Sequence, residues 1–105
     1  MDRKITIFEQ KVYDACRRIP KGRVSTYQEI AKAIKRPFSF RAVGNALHQN
    51  PFAPVVPCHR VVRSNGDLGG FAQGNTKKMQ LLQEEGIELI NGKIIDLNKY
   101  LFKFH

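Results

Sequence analysis

No run of apolar residues in this sequence approaches the roughly 18 needed to span a membrane. The N-terminal Met1-Asp2-Arg3-Lys4-Ile5 lacks the apolar core of a signal peptide. A membrane partner and export are therefore not expected, and the reading is an intracellular protein, cytoplasmic or, in a eukaryote, nuclear. Cysteine is scarce. Cys16 and Cys58 are too few for a disulfide framework, and in a reducing compartment both are free thiols. Internal repeats, low-complexity tracts and linkers are missing as well. The 105 residues suffice for one domain with a single modest core, so residues 1–105 are read as one unit with no separate N-terminal domain. A hydrophobic share of 42% is ordinary for a folded chain and argues against wholesale disorder.

Acidic residues are the other shortage. Nine Asp and Glu stand against eighteen Lys and Arg, a net charge of +9. The imbalance is local: residues 1–63 carry thirteen bases and four acids, whereas residues 64–105 carry five of each. No acid lies between Glu29 and Asp67. A one-sided positive field favours a polyanion, because each neutralised phosphate releases condensed counterions.

What is present reads as helices first. Thr6 and Glu9 have the spacing of a capping box, in which each side chain satisfies the other's free backbone N–H. Phe8, Val12, Ala15, Cys16 and Ile19 follow at helical spacing until Pro20 stops the run. Cys16 lies on that stripe as a small buried hydrophobe. Thr26 and Glu29 repeat the box ahead of Ile30, Ala31 and Ile34, and Pro37 limits this second helix. Ser39 is placed to cap a third, with Val43, Ala46 and Leu47 inward and Asn50-Pro51 as its end. Two short helices so joined make a helix-turn-helix candidate. On the outer face of the third, Arg41, Gly44, Asn45 and His48 fall within about 100° of one another. Glycine costs about 1 kcal/mol inside a helix, so a close approach is expected there, by another element of the domain or by a DNA groove.

An extended segment is expected over Pro54-Val55-Val56-Pro57-Cys58-His59-Arg60-Val61-Val62, followed by a glycine-rich loop and a fourth helix from about Asn75 to Gly86. Asn91-Gly92 between Leu89-Ile90 and Ile94-Ile95 signals a small hairpin. The tail from Lys99 to His105 carries no assignable pattern. The thiolate is the reactive form of cysteine, and a neighbouring imidazole or cation raises its fraction. Cys58 beside His59 and Arg60 fits that chemistry. On a regular strand, however, successive side chains point to opposite faces, so contact between Cys58 and His59 requires the backbone to turn or a water to bridge them.

The string Pro57-Cys58-His59-Arg60-Val61-Val62, preceded by Asn50-Pro51 and by Arg41-Ala42-Val43-Gly44-Asn45-Ala46, resembles the active-site region of O6-alkylguanine-DNA alkyltransferases. The resemblance extends upstream over Ile19-Pro20-Lys21-Gly22-Arg23-Val24-Ser25-Thr26-Tyr27 and downstream through the glycine loop to Leu81-Leu82-Gln83-Glu84-Glu85-Gly86. It implies an α/β, mostly helical, winged-helix-like DNA-binding domain with a helix-turn-helix and a short C-terminal β-hairpin. The activity implied is stoichiometric transfer of an alkyl group from O6-alkylguanine in double-stranded DNA, by a monomer without cofactor or metal.

Residue by residue, the resemblance makes Cys58 the alkyl acceptor and His59 the base that activates it through water. It gives Glu85, in the fourth helix, the task of fixing the histidine tautomer, and Asn50 that of bracing the site. Tyr27 protonates or polarises the leaving guanine. Arg41 enters the stack where the nucleotide leaves, because chemistry at a buried base requires flipping it out. Thr26, Tyr27, Arg41, Ala42, Gly44, Asn45 and Arg60 are the expected DNA contacts. Val55, Pro57, Phe71, Ala72 and Gln73 are the expected pocket. Ala72 has no side-chain donor for the guanine oxygen and Gln73 narrows the pocket, so methyl adducts are expected to be handled better than benzyl ones. Bland readings stand beside these: a half-buried core tyrosine for Tyr27, a phosphate contact for Arg41, a surface charge for Glu85 with Glu84 as its rival. Two other functions compete, namely a sister protein that recognises the lesion without transfer, and a helix-turn-helix regulator.

Overall fold

The computed structural model describes residues 4–68 and 75–104. Helix α1 spans Ile7–Cys16. The expected capping box closes at its start, with the Glu9 N–H donating to Thr6 Oγ1 and the Thr6 N–H to Glu9 Oε1, both at 3.0 Å. Strand β1, Ser25–Thr26, runs directly into α2, Tyr27–Ala33, and Thr26 Oγ1 accepts the Glu29 N–H at 3.1 Å. Residues 34–39 lead to α3, Phe40–His48. Ser39 occupies the cap position but its side chain makes no capping hydrogen bond, contrary to expectation. A capping side chain needs extended backbone, whereas the Ser39 N–H is tied to the Arg36 carbonyl at 2.9 Å and its φ and ψ are −95° and 25°.

Helices α1, α2 and α3 pack around a core of Val12, Tyr13, Cys16, Ile30, Val43 and Leu47. The Tyr13 hydroxyl donates to the Ala46 carbonyl at 2.8 Å, satisfying one of the last-turn carbonyls that a helix leaves without an internal partner. Tyr13→Phe removes that donor inside the core and is expected to cost roughly 1–3 kcal/mol in urea unfolding. A variant as stable as the parent would show that the carbonyl finds another donor.

The segment expected to be extended is not. Residues 51–55 form turns and residue 56 a bend, and Cys58–Arg60 forms a single 3-10 turn closed by the Arg60 N–H to the Pro57 carbonyl at 2.9 Å. Only Val61–Val62 remains as strand β2, parallel to β1 with Ser25 opposite Val61 and Thr26 opposite Val62. Adjacent strand residues face opposite sides. Val61 accordingly joins the three-helix core, while Val62 joins a second core with Val24, Leu68, Leu82, Ile87, Ile94 and Tyr100.

That second core is closed by the C-terminal half. Helix α4 covers Asn75–Glu84, and Gly86, with φ +88°, lets the Ile87 N–H turn back onto the Leu82 carbonyl at 3.1 Å. Strands β3, Leu89–Ile90, and β4, Lys93–Ile94, form the expected hairpin around Asn91-Gly92. Both turn residues have positive φ, 52° and 74°, as a two-residue hairpin turn of this kind requires. The tail, unassigned from sequence, forms the short helix α5 over Leu97–Tyr100 and then pairs Leu101 with Val24 beside β1. Among the described residues no helix is long and apolar enough to cross a membrane.

Candidate active site

The approach to Cys58 is held by Asn50. Its Nδ2 donates to the Val56 carbonyl at 2.8 Å, and its Oδ1 accepts the Phe52 N–H at 2.9 Å. One amide thus fixes both ends of the turn that delivers Cys58. The 3-10 turn places Cys58 and His59 on a wound backbone, which removes the opposite-face geometry of a strand. Cys58 is 6% exposed, His59 is buried, and β2 zips the chain onto β1 immediately afterwards. Because β1 leads straight into Tyr27, the parallel pairing brings the start of α2 alongside the Cys58 segment.

Behind the turn lies a part-buried chain of charge. His59 Nε2 is 2.9 Å from Glu85 Oε2, and the Arg60 guanidinium grips the same carboxylate through Nε to Oε1 at 3.0 Å and Nη2 to Oε2 at 2.8 Å. Arg60 Nη1 donates to the Ile19 carbonyl at 2.9 Å. Burial works against a charge on Glu85. The hydrogen bonds from Arg60 and His59 outweigh it and hold the carboxyl below its usual range. Burial pushes His59 the other way, below the ordinary imidazole value, although Glu85 opposes this. The pair therefore reads as a neutral imidazole against a carboxylate. A carboxylate only accepts, so Nε2 carries the proton and Nδ1 keeps a free lone pair.

The two candidate carboxylates meet different partners. Glu85 meets His59 and Arg60, whereas among the described residues Glu84 accepts a Gln80 amide at the surface, at 3.3 Å. Glu85 is not inside the fourth helix as expected, but one residue beyond its end, where the chain bends toward Ile87. Arg60 is also a correction. Expected among the DNA contacts, its guanidinium is turned inward and bound at each nitrogen to Glu85 or Ile19.

Cys16 is fully buried, and burial pushes its thiol far above the usual range, which fits the inert role read for it. The Tyr27 hydroxyl is pushed up to about 12, chiefly by burial, so it keeps its proton at neutral pH. Lys78 was missed from sequence. It has no exposed surface, and its Nζ donates to the Val61 carbonyl at 2.6 Å and to the Leu68 carbonyl. Burial lowers its pKa to about 8. The available signal was its position four residues before Leu82, on the same face of α4. Among the described residues no three His, Cys, Asp or Glu side chains gather as a metal site requires.

On the outer side, α2, α3 and residues 63–65 enclose an open cleft of about 610 Å³. Tyr27, Arg41, Gly44 and Asn45 line it, all expected DNA contacts. Gln28, Phe40, His48, Arg63 and Ser64 line it too and were not among the expected site residues. Ala42 is exposed beside Arg41, whereas Thr26 is buried and its hydroxyl is occupied as a helix cap. The Tyr27 ring lies over Gly44, yet a Cβ built there would sit 3.7 Å from it, an ordinary contact. Internal packing alone therefore does not demand glycine at position 44.

Of the expected pocket, Pro57 is buried beside Cys58. Val55 is 68% exposed and lines a separate hollow with Tyr13, Phe52 and Val56. Phe71, Ala72 and Gln73 lie outside the described residues.

The sequence matches the family described as 6-O-methylguanine DNA methyltransferase, DNA binding domain, over residues 7–87. It is 49% identical to a methylated-DNA–protein-cysteine methyltransferase of Methanosarcina acetivorans over 81 residues, 77% of this chain and 52% of that protein. It is 45% identical to the bifunctional transcriptional activator/DNA repair enzyme Ada of Escherichia coli over 85 residues, 81% of this chain and 24% of that protein. The chain thus spans about half or less of these relatives' length. The fold is similar to that of Atl1 of S. pombe, solved in complex with damaged DNA containing O6-carboxymethylguanine. There the TM-score is 0.83 at 37% identity, covering 96% of this chain and 99% of that one. It is also similar to OGT of Mycobacterium tuberculosis in complex with DNA, with a TM-score of 0.76 at 44% identity, covering 80% and 52%. A match across residues 7–87, carried on the same mixed α/β framework, establishes that this chain belongs to the 6-O-methylguanine DNA methyltransferase DNA-binding-domain family.

Proposed function

We propose that this protein binds double-stranded DNA containing O6-alkylguanine, flips the damaged nucleotide and transfers its alkyl group to Cys58. The observation that carries this reading is the part-buried Arg60–Glu85–His59 chain, which ends at the residue next to Cys58 on the same 3-10 turn. With Nε2 held by Glu85, the free Nδ1 of His59 takes the thiol proton, through a water where the two do not touch. The Cys58 sulfur then attacks the alkyl carbon, the bond from that carbon to O6 breaks, and its electron pair stays on guanine. Guanine recovers a proton from the Tyr27 hydroxyl, which is then reprotonated through solvent as His59 releases the thiol proton, since burial favours the protonated phenol. The net change is one thioether formed and one thiol proton delivered to guanine. The reaction consumes the protein and uses no cofactor.

DNA engages through the outer face of α3. Arg41 and Asn45 are exposed there, Gly44 leaves room for close approach, and Arg63 adds charge from the far wall of the cleft. Arg41 fills the gap left by the flipped nucleotide, and Asn50 braces the acceptor turn. A second reading, lesion recognition without transfer, is supported by the fold match to Atl1, which was solved bound to DNA that still contains O6-carboxymethylguanine.

Intact-protein mass separates the two. After incubation with a duplex carrying one O6-methylguanine, the wild type is expected to gain one methyl and Cys58→Ala none. Tight lesion binding without mass change would assign the protein to recognition alone.

A further inference from the structure

Between α2 and α3 the chain makes a turn over residues 36–39, closed by the Ser39 N–H to the Arg36 carbonyl. Pro37 suits the first inner position of such a turn, and the second favours small polar residues. Phe38 stands there instead, 93% exposed. It joins neither core, nor the half-buried apolar residues packed on them. Phe40, at the start of α3, is 37% exposed and lines the cleft beside Arg41, Gly44 and Tyr27. Lys35, Arg36 and Arg41 flank the two rings, and no acid occurs from residue 30 to residue 66. Two exposed aromatics in a stretch of chain that carries basic and no acidic side chains match one occupant by charge: a polyanion that also offers flat apolar faces.

We infer that Phe38 and Phe40 form an aromatic wedge beside Arg41 that packs on deoxyribose and unstacked base faces of the opened duplex. This rests on the DNA-binding part of the function proposed above and adds to it an apolar contact that gives affinity without neutralising phosphate. Lys35, Arg36 and Arg41 supply the counterion-releasing contacts around it. The rings supply stacking, which tolerates any base because every base has a π-face.

The test is anisotropy binding of the full chain to a duplex with one O6-methylguanine, across a salt series, for wild type, Phe38→Ser and Phe38→Tyr. Phe38→Ser is expected to weaken binding by about 5- to 150-fold, the range of losing one base–aromatic stack. The slope of log affinity against log salt should stay that of the wild type, since no phosphate contact is lost. Phe38→Tyr should bind like the wild type. Phe38→Ser binding within twofold of wild type overturns the inference, as does a loss that appears as a shallower salt slope. Wild-type self-association that Phe38→Ser abolishes, with DNA affinity unchanged, overturns it in favour of a second copy as occupant. A wild type that binds the duplex yet gains no methyl leaves the wedge standing and removes only the transfer step. One with no affinity for duplex removes both.

Discussion

Methyl transfer by a His59→Gln variant is expected to be slower than wild type by about 10²–10⁴-fold at neutral pH, the usual worth of a positioned general base. Glutamine is the informative replacement because its amide can still donate to Glu85, leaving the carboxylate and Arg60 partnered. What it lacks is a basic nitrogen at the position of Nδ1. The pH profile separates lost basicity from mere distortion. Burial lowers the His59 pKa below its ordinary 6.5, so the wild type keeps its base form, and its rate, into mildly acidic solution. The variant's deficit should shrink in alkali, where hydroxide takes the thiol proton directly. Second-order transfer rates between about pH 5 and 9 on a methylated duplex measure both effects. Equal rates for the two proteins at neutral pH would remove His59 from the chemistry, and a deficit constant across pH would make it structural.

Glu85→Ala should lower stability by about 1.5–3 kcal/mol, because it removes the charged acceptor of a part-buried guanidinium and orphans the His59 donor. At roughly 4–8 °C per kcal/mol for a domain of this size, the melting temperature falls by more than about 6 °C. The sign with pH follows from both groups. Glu85 is held below its ordinary 4.5, so its contribution is complete above that value and lost as pH falls through its folded-state pKa. His59 is also lowered, from 6.5, so the unfolded chain takes up its proton first and stability begins to fall below 6.5. Urea unfolding of wild type and variant from pH 7 downward past pH 4.5 checks this. The gap should be full at pH 7 and close only as the pH falls through the folded-state value of Glu85. A variant within 1 kcal/mol of wild type at pH 7 would mean that Arg60 finds a new partner at little cost.

The elements that short-range chemistry specifies are legible in the sequence. Thr6 with Glu9, Thr26 capping Glu29, and Asn91-Gly92 act over two to four residues, and the helical stripes they bound settle the inward face. The same local logic located the helix-turn-helix and made Cys58, His59 and the exposed Arg41 candidates. Pro57-Cys58-His59-Arg60 was misread as extended because proline and paired valines favour extension locally. The turn is imposed by Asn50, whose amide grips Val56.

Arg60 could not be placed from its neighbours either. Which of two adjacent glutamates meets His59 depends on a contact 26 residues away in sequence, and the same contact draws the guanidinium inward. The tail was opaque because its strand partner, Val24, lies 77 residues upstream, and Lys78 because two distant carbonyls stabilise its burial. The sequence alone therefore determined the helices, their faces, the hairpin and the reactive thiol's candidacy, since these depend on periodicity and caps. The tertiary structure decided which charges are partnered inside and which stay outside. A buried charge persists only where long-range packing supplies its partners.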